Sequence, residues 1–240
     1  KCFTKSLEQL QGATELEHLR LETSQHSVEV LNSGLTEDSL KRKSHLKSVC
    51  CGSGKFASWV IACSQLTFLV FFLEKLQIPR NHYYIVHPLF NELEISVPNA
   101  LNENEEQIWS TCGELTIFYL IHCEMALYNN LLCSNSVHSL SKVMITENSF
   151  KRSEGKLLTR ILQKDYPYVA KILKGIEEIE FPQTLHYMDI FNDTAIHWFP
   201  LQKLKELPSE IWTIQEEPDY SEGEELEIIR NQEVDSALPW

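Results

Sequence analysis

Positive charge is what this chain has least of. Its 240 residues hold 21 lysines and arginines against 34 acidic side chains, a formal net charge of −13, and no basic stripe runs along any segment. Surfaces that bind nucleic acid replace phosphate counterions with clustered Lys and Arg, so direct nucleic-acid contact is excluded as the main function. The imbalance is local: residues 81–240 carry 26 acidic against 11 basic side chains, and residues 1–80 carry 8 against 10. Also missing is any C-x-x-C pair. The seven cysteines, at positions 2, 50, 51, 63, 112, 123 and 133, form no regular framework and mostly lie in apolar segments, the pattern of reduced, buried thiols. No charged n-region, apolar h-region and small-residue cleavage site opens the sequence, so the expected location is cytoplasmic, with the nucleus as a second compartment. Lys1 rather than Met stands first, as in a fragment or a processed chain. Internal repeats and low-complexity tracts are absent.

One hydrophobic run is long enough to raise the question of a membrane. Phe56 to Leu73 runs 18 residues without a charge, the lower length for a bilayer-spanning helix. Ser58, Ser64, Gln65 and Thr67 interrupt it, and strand-like segments stand on both sides. It fits a helix packed on a sheet and apolar over most of its circumference, with no membrane contact expected.

What leads into that run is the most informative stretch of the chain. Cys50-Cys51-Gly52-Ser53-Gly54-Lys55-Phe56-Ala57 reads as strand, glycine turn, helix. Gly52, Gly54 and Ala57 fit the spacing G-x-G-x-x-G/A, in which glycines let backbone approach a phosphate and a third small residue lets the helix sit close on its strand. The unpaired N–H groups at such a helix start face the crevice at the strand end. A tight connection that needs small residues only for packing fits the same spacing. A nucleotide P-loop does not, since Val49 stands where its first glycine should be and Phe56 replaces the Ser or Thr that would ligand magnesium.

Apolar, β-branched or aromatic runs recur at Leu46–Cys51, Tyr83–Val86, Leu115–Ile121, Val143–Thr146 and Ala195–Phe199, separated by helix-length segments. Phe56–Leu76, Ala126–Cys133 and Leu157–Ile179 read as helices, the last broken near Tyr166-Pro167. This alternation predicts an α/β fold: a doubly wound, mostly parallel, Rossmann-like sheet with helices on both faces. Residues 1–44 read as a peripheral helical extension with a basic linker, 45–204 as the α/β domain, and 205–240, with eleven acidic residues against Lys205 and Arg230, as an acidic, partly disordered tail.

Ligands of such sheets sit outside the carboxyl ends of the strands. His87 holds the place where a dinucleotide site would carry an acidic residue, which weakens a nicotinamide or S-adenosylmethionine reading. His122 and Cys123 end the third predicted strand and would lie beside the glycine turn if the first and third strands were neighbours. Asn148 and Ser149 could place an amide and a hydroxyl at the same edge, or only cap the next helix. The candidate binding set is therefore Gly52, Gly54, Ala57, His87, His122, Cys123 and Asn148. A metal could draw only on His87, His122, Cys123 and Cys51, without a recognised ligand spacing, so no metal site is assigned. Adjacent residues on a strand point to opposite faces, so His122-Cys123 is a poor nucleophile pair and no catalytic residue is assigned.

Taken in order, these segments resemble the sensitivity-to-red-light-reduced (SRR-like) domain family. The resemblance rests on Val49–Phe56, Ser64-Gln65-Leu66, Pro88-Leu89-Phe90, Asn104-Glu105-Glu106, His122-Cys123 with Leu127-Tyr128-Asn129-Asn130-Leu131-Leu132, and Asn148-Ser149-Phe150. Ile161–Pro167, Phe191-Asn192-Asp193-Thr194 and Trp198-Phe199-Pro200 look like the vertebrate members. The resemblance implies a non-enzymatic intracellular regulator linked to circadian clock-gene expression and to control of haem biosynthesis, with a protein partner or small ligand and no specified cofactor. A nucleotide- or S-adenosylmethionine-dependent enzyme and a haem-binding sensor are the rival readings. The chain departs from the family pattern where His87 replaces an acidic residue, where Glu124 and Glu147 replace glycines, and where Cys133 and Ser136 replace tryptophans. Between Glu94 and Asn102 it looks shortened, losing much of a strand.

Overall fold

A computed structural model describes residues 46–51, 60–86, 100–101, 111, 114–121, 123, 125–150, 159–181 and 190–213. Among these residues seven strands form one sheet: β1 (Lys47–Cys51), β2 (Tyr83–Val86), β3 (Ala100–Leu101), β4 (Thr116–Tyr119), β5 (Val143–Asn148), β6 (Glu177–Glu180) and β7 (Thr194–Trp198). Their spatial order is β3-β2-β1-β4-β5-β7-β6. The first five pair in parallel, and β7 runs antiparallel to both β5 and β6. The α/β architecture with a mostly parallel sheet is therefore present. β3 is only two residues long, in the segment where the sequence looks shortened.

Seven helices flank the strands among the described residues: α1 (Val60–Lys75), α2 (Met125–Cys133), α3 (Val137–Leu140), α4 (Thr159–Asp165), α5 (Pro167–Ile172), α6 (Leu201–Glu206) and α7 (Glu210–Thr213). None is long and apolar enough to cross a membrane. α1 takes most of the uncharged run, and every side chain from Ala62 to Leu69 is buried. It ends in a Schellman turn: the Ile78 N–H bonds to the Leu73 carbonyl and the Gln77 N–H to that of Glu74, with Gln77 at φ 58.

The break foreseen near Pro167 separates α4 from α5, with Pro167 in the first turn of α5. The helix does not continue to Ile179, however. A 3-10 turn at Leu173–Gly175 ends it and β6 follows. Glu177-Glu178-Ile179-Glu180 gains a β-ladder with β7, and this long-range pairing overrides the good helix propensity of glutamate. Gly175 is needed by packing, because a Cβ there would come within 3.0 Å of Leu207 and 3.2 Å of Leu204. The packed elements run on through Thr213, past the residue 204 at which the sequence suggests a tail, because Leu204, Leu207 and Trp212 join the core.

Strand alternation divides the core between the two faces of the sheet. On one, α1 packs on Cys50, Ile117, Tyr119, Met144 and Ile196. On the other, residues of α2, α5 and α6 pack on Val49, Cys51, Phe118, Val143 and Ile145.

Candidate functional site

Because β1 lies between β2 and β4, the chain leaves it toward one side and later returns to the other, and strand order reverses there, the place where sheets of this kind take ligands outside the carboxyl ends of their strands. The register sets these ends level: Cys50 lies opposite Tyr119, and Tyr119 opposite Thr146. The first and third predicted strands are thus neighbours. Of the candidate binding residues, Gly52, Gly54, Ala57, His87 and His122 lie outside the described residues, as do Glu124 and the start of the predicted helix before Val60. Cys123 and Asn148 lie within them.

Cys123 is 7% exposed and packs in the same apolar cluster as Cys51, beneath α2. Its N–H bonds to the Leu120 carbonyl at 3.1 Å and closes the turn after β4. Cys50, on the opposite face, has its thiol pushed up to about 12 by burial, the signature of an inert cysteine. No group of three or more His, Cys, Asp or Glu among the described residues is arranged to hold a metal ion.

Asn148 ends β5 opposite Thr194, the first residue of β7, so their side chains share one face at the carboxyl edge. Asn148 Oδ1 and Thr194 Oγ1 are both buried and have no hydrogen-bond partner among the described residues. Ser149 stands directly before Phe150, which is helical. Its hydroxyl donates to Glu178 Oε1 at 2.6 Å.

That bond opens onto a polar cluster on the α2 face that the sequence reading did not assemble. His197 Nε2 lies 2.9 Å from Glu178 Oε2, and His197 Nδ1 lies 3.5 Å from Glu147 Oε1. The three side chains are 0% to 1% exposed, and the Phe150 ring lies 4.4 Å from the imidazole, centroid to centroid. Tyr128 of α2 hydrogen-bonds Glu147 and also donates its hydroxyl to the Leu120 carbonyl. Burial pushes the Glu147 carboxyl well above the usual carboxylate range. The Tyr128 bond opposes this shift and the Glu178 charge adds to it.

Glu147 and Glu178 meet one histidine because β5, β7 and β6 are adjacent: His197 lies opposite Ile145 and Glu178, and Glu147 lies two residues beyond Ile145 on the same face. A histidine in the middle of the apolar run Ala195–Phe199 was the available signal. Its partner Glu178 was hidden inside a segment read as helix.

The Tyr-Asn-Asn segment is structural where it is described. Asn129, fully buried, accepts the N–H groups of Tyr168 and Val169 at 2.9 and 3.3 Å through Oδ1 and so caps α5 from a neighbouring helix. A groove of about 320 Å³ lies where the last turn of α2 meets α3, α5 and α7, lined by Cys133, His138, Tyr168 and Trp212 among others. It shares no residue with the strand ends.

A family model described as the SRR1 domain matches residues 13–198, beginning within the segment read as an N-terminal extension. An SRR1-like protein of Mus musculus is 48% identical over 179 residues, which cover 72% of this chain and 70% of that protein. An SRR1-like protein of Drosophila melanogaster is 25% identical over 174 residues, covering 68% of this chain and 58% of the fly protein. No solved structure matches the chain significantly.

Proposed function

The chain belongs to the SRR1-domain family, and from that premise we propose that it is a non-enzymatic regulator whose Rossmann-like α/β domain serves as a binding platform. Its proposed processes are those the resemblance implies, circadian clock-gene expression and control of haem biosynthesis, and its proposed compartments are the cytoplasm and the nucleus. The observation that carries the reading is the kind of group at the carboxyl edge. Among the described residues, the carboxyl edge of β5 carries Asn148 and Thr194, whose amide and hydroxyl oxygens are buried and without hydrogen-bond partners, while Glu147, Glu178, His197 and Cys123 are turned into the core. Neutral acceptors recognise a donor on a ligand but neither attack it nor take up its proton at neutral pH.

Calorimetry of the purified chain against S-adenosylmethionine, NAD, ATP and hemin tests this. The expected result is binding without turnover, weakened by Asn148→Ala while the melting temperature holds. A second reading, a nucleotide- or S-adenosylmethionine-dependent enzyme, is favoured by one observation, the reversal of strand order at β1, the strand that the G-x-G-x-x-A spacing follows in sequence. Conversion of a bound ligand to product would establish that reading in place of the regulator.

A further inference from the structure

The buried cluster on the α2 face has no part in the binding reading, and its geometry has a consequence of its own. Its members come from every element that meets there: Glu147 on β5, Ser149 and Phe150 just after it, Glu178 on β6, His197 on β7 and Tyr128 on α2. Lys203 of α6 is engaged with Glu177 at the half-exposed edge of the sheet.

The donors can be counted. Tyr128 has one hydroxyl proton, and the Leu120 carbonyl receives it. Its contact with Glu147 favours the ionised carboxyl and is opposed by burial and by the Glu178 charge, which favour the neutral acid. Ser149 and His197 Nε2–H both donate to Glu178, which is the arrangement of an ionised carboxylate with its two oxygens occupied. His197 Nδ1 lies 3.5 Å from Glu147 Oε1, so a protonated Glu147 presents a neutral group to the imidazole and an ionised one presents a second carboxylate.

We propose that Glu147, His197 and Glu178 form a pH-sensitive latch that clamps the β6–β7 hairpin to β5 while Glu147 keeps its acid proton, and that opens when that proton is lost. With the proton in place, a neutral acid lies beside the imidazole and a single carboxylate carries two donors. Without it, two carboxylates share one buried imidazole, and the direct relief is separation of β7 from β5. The raised position of Glu147 gives the direction. A group held protonated by the fold contributes stability that is fully present below its unfolded pKa and is lost as pH rises through its folded value, so the latch is closed on the acid side and opens toward alkaline pH.

Hydrogen exchange of the full chain, followed at the amides of 177–181 and 194–198 from about pH 5 to about pH 9 and corrected for intrinsic exchange, tests the latch. Loss of one proton on opening makes the opening constant of these segments rise by up to about tenfold per pH unit. Glu147→Gln, which keeps a donor and cannot ionise, should remove that slope while leaving the amides of β1 and β4 unchanged. Difference infrared spectroscopy of the unaltered chain supplies a readout that does not depend on that variant folding: a protonated carboxylic acid band should persist at neutral pH. It should titrate at lower pH in Glu178→Gln, where the like charge is gone. Equal exchange slopes in the unaltered chain and Glu147→Gln, absence of the band at neutral pH, or its failure to move in Glu178→Gln would each overturn the latch.

Discussion

The two faces of the sheet are built from different chemistry. On the α1 face the rings of Phe68, Phe181 and Phe191 lie 5.0 to 5.7 Å from one another, Phe72 stacks on Phe68 at 6.2 Å, and three polar side chains are tied to backbone carbonyls. Thr67 donates to the Cys63 carbonyl and Gln65 Nε2 to that of Ile190, while the Tyr119 hydroxyl donates to the Gln65 carbonyl. On the α2 face an equally deep core encloses two glutamates, a histidine and a serine. One face is stabilised by area and shape, which salt and pH hardly touch. The other is stable on condition that its proton and its donors stay in place. The same sheet thus carries an unconditional core and a conditional one, and each can be broken separately.

The largest effect belongs to the α1 face. Phe68→Ala removes a fully enclosed ring that contacts three others, and should cost about 3–5 kcal/mol in denaturant unfolding, with little change between acid and neutral pH. A loss below ~1 kcal/mol would mean that the aromatic cluster is not the core of that face. Next comes the α2 face. Asn129→Ala leaves the Tyr168 and Val169 N–H groups buried and unpaired, for about 2 kcal/mol. Asn129→Asp, which keeps the acceptor, should recover part of it. Equal losses in the two variants would show that Asn129 acts by packing and not as a cap.

This division also explains what was legible in the residues. Strands β1, β2, β4, β5 and β7 and the helices α1 and α2 were readable because each is a run of apolar or β-branched residues whose period declares it. β6 was not, since Glu177-Glu178-Ile179-Glu180 has one apolar residue and takes its form from β7. The carboxyl edge could be located from the glycine turn, and Asn148 stands there. The Glu147–His197–Glu178 cluster could not be located, because it is assembled by antiparallel pairing that joins residues 50 and 19 apart, and because Glu178 lies in a segment read as helix. Glu147 was noticed only as bulk in place of a glycine. Its burial against Tyr128 and His197 makes it a partner in a polar network.

The smallest predicted effect sharpens the contrast from the α1 side. Gln77 closes the C-terminal turn of α1 at φ 58, a left-handed conformation in which a Cβ is crowded by the neighbouring carbonyl. It is a backbone device: the two turn bonds from Ile78 and Gln77 are made by N–H groups, Ile78 and Leu73 supply the apolar contact, and the Gln77 side chain is exposed. Glycine would relieve the crowding and keep every bond, at the cost of a looser unfolded chain. Gln77→Gly should therefore stabilise the protein by about 0.5–1 kcal/mol, equally at acid and alkaline pH, since it removes no titrating group and leaves the bond from the Tyr83 hydroxyl to the Ile78 carbonyl in place. Differential scanning calorimetry at the two pH values checks it. Destabilisation would show that the Gln77 side chain contributes more than its exposure suggests, and a gain confined to one pH would show that the α1 face is not the unconditional half of the molecule.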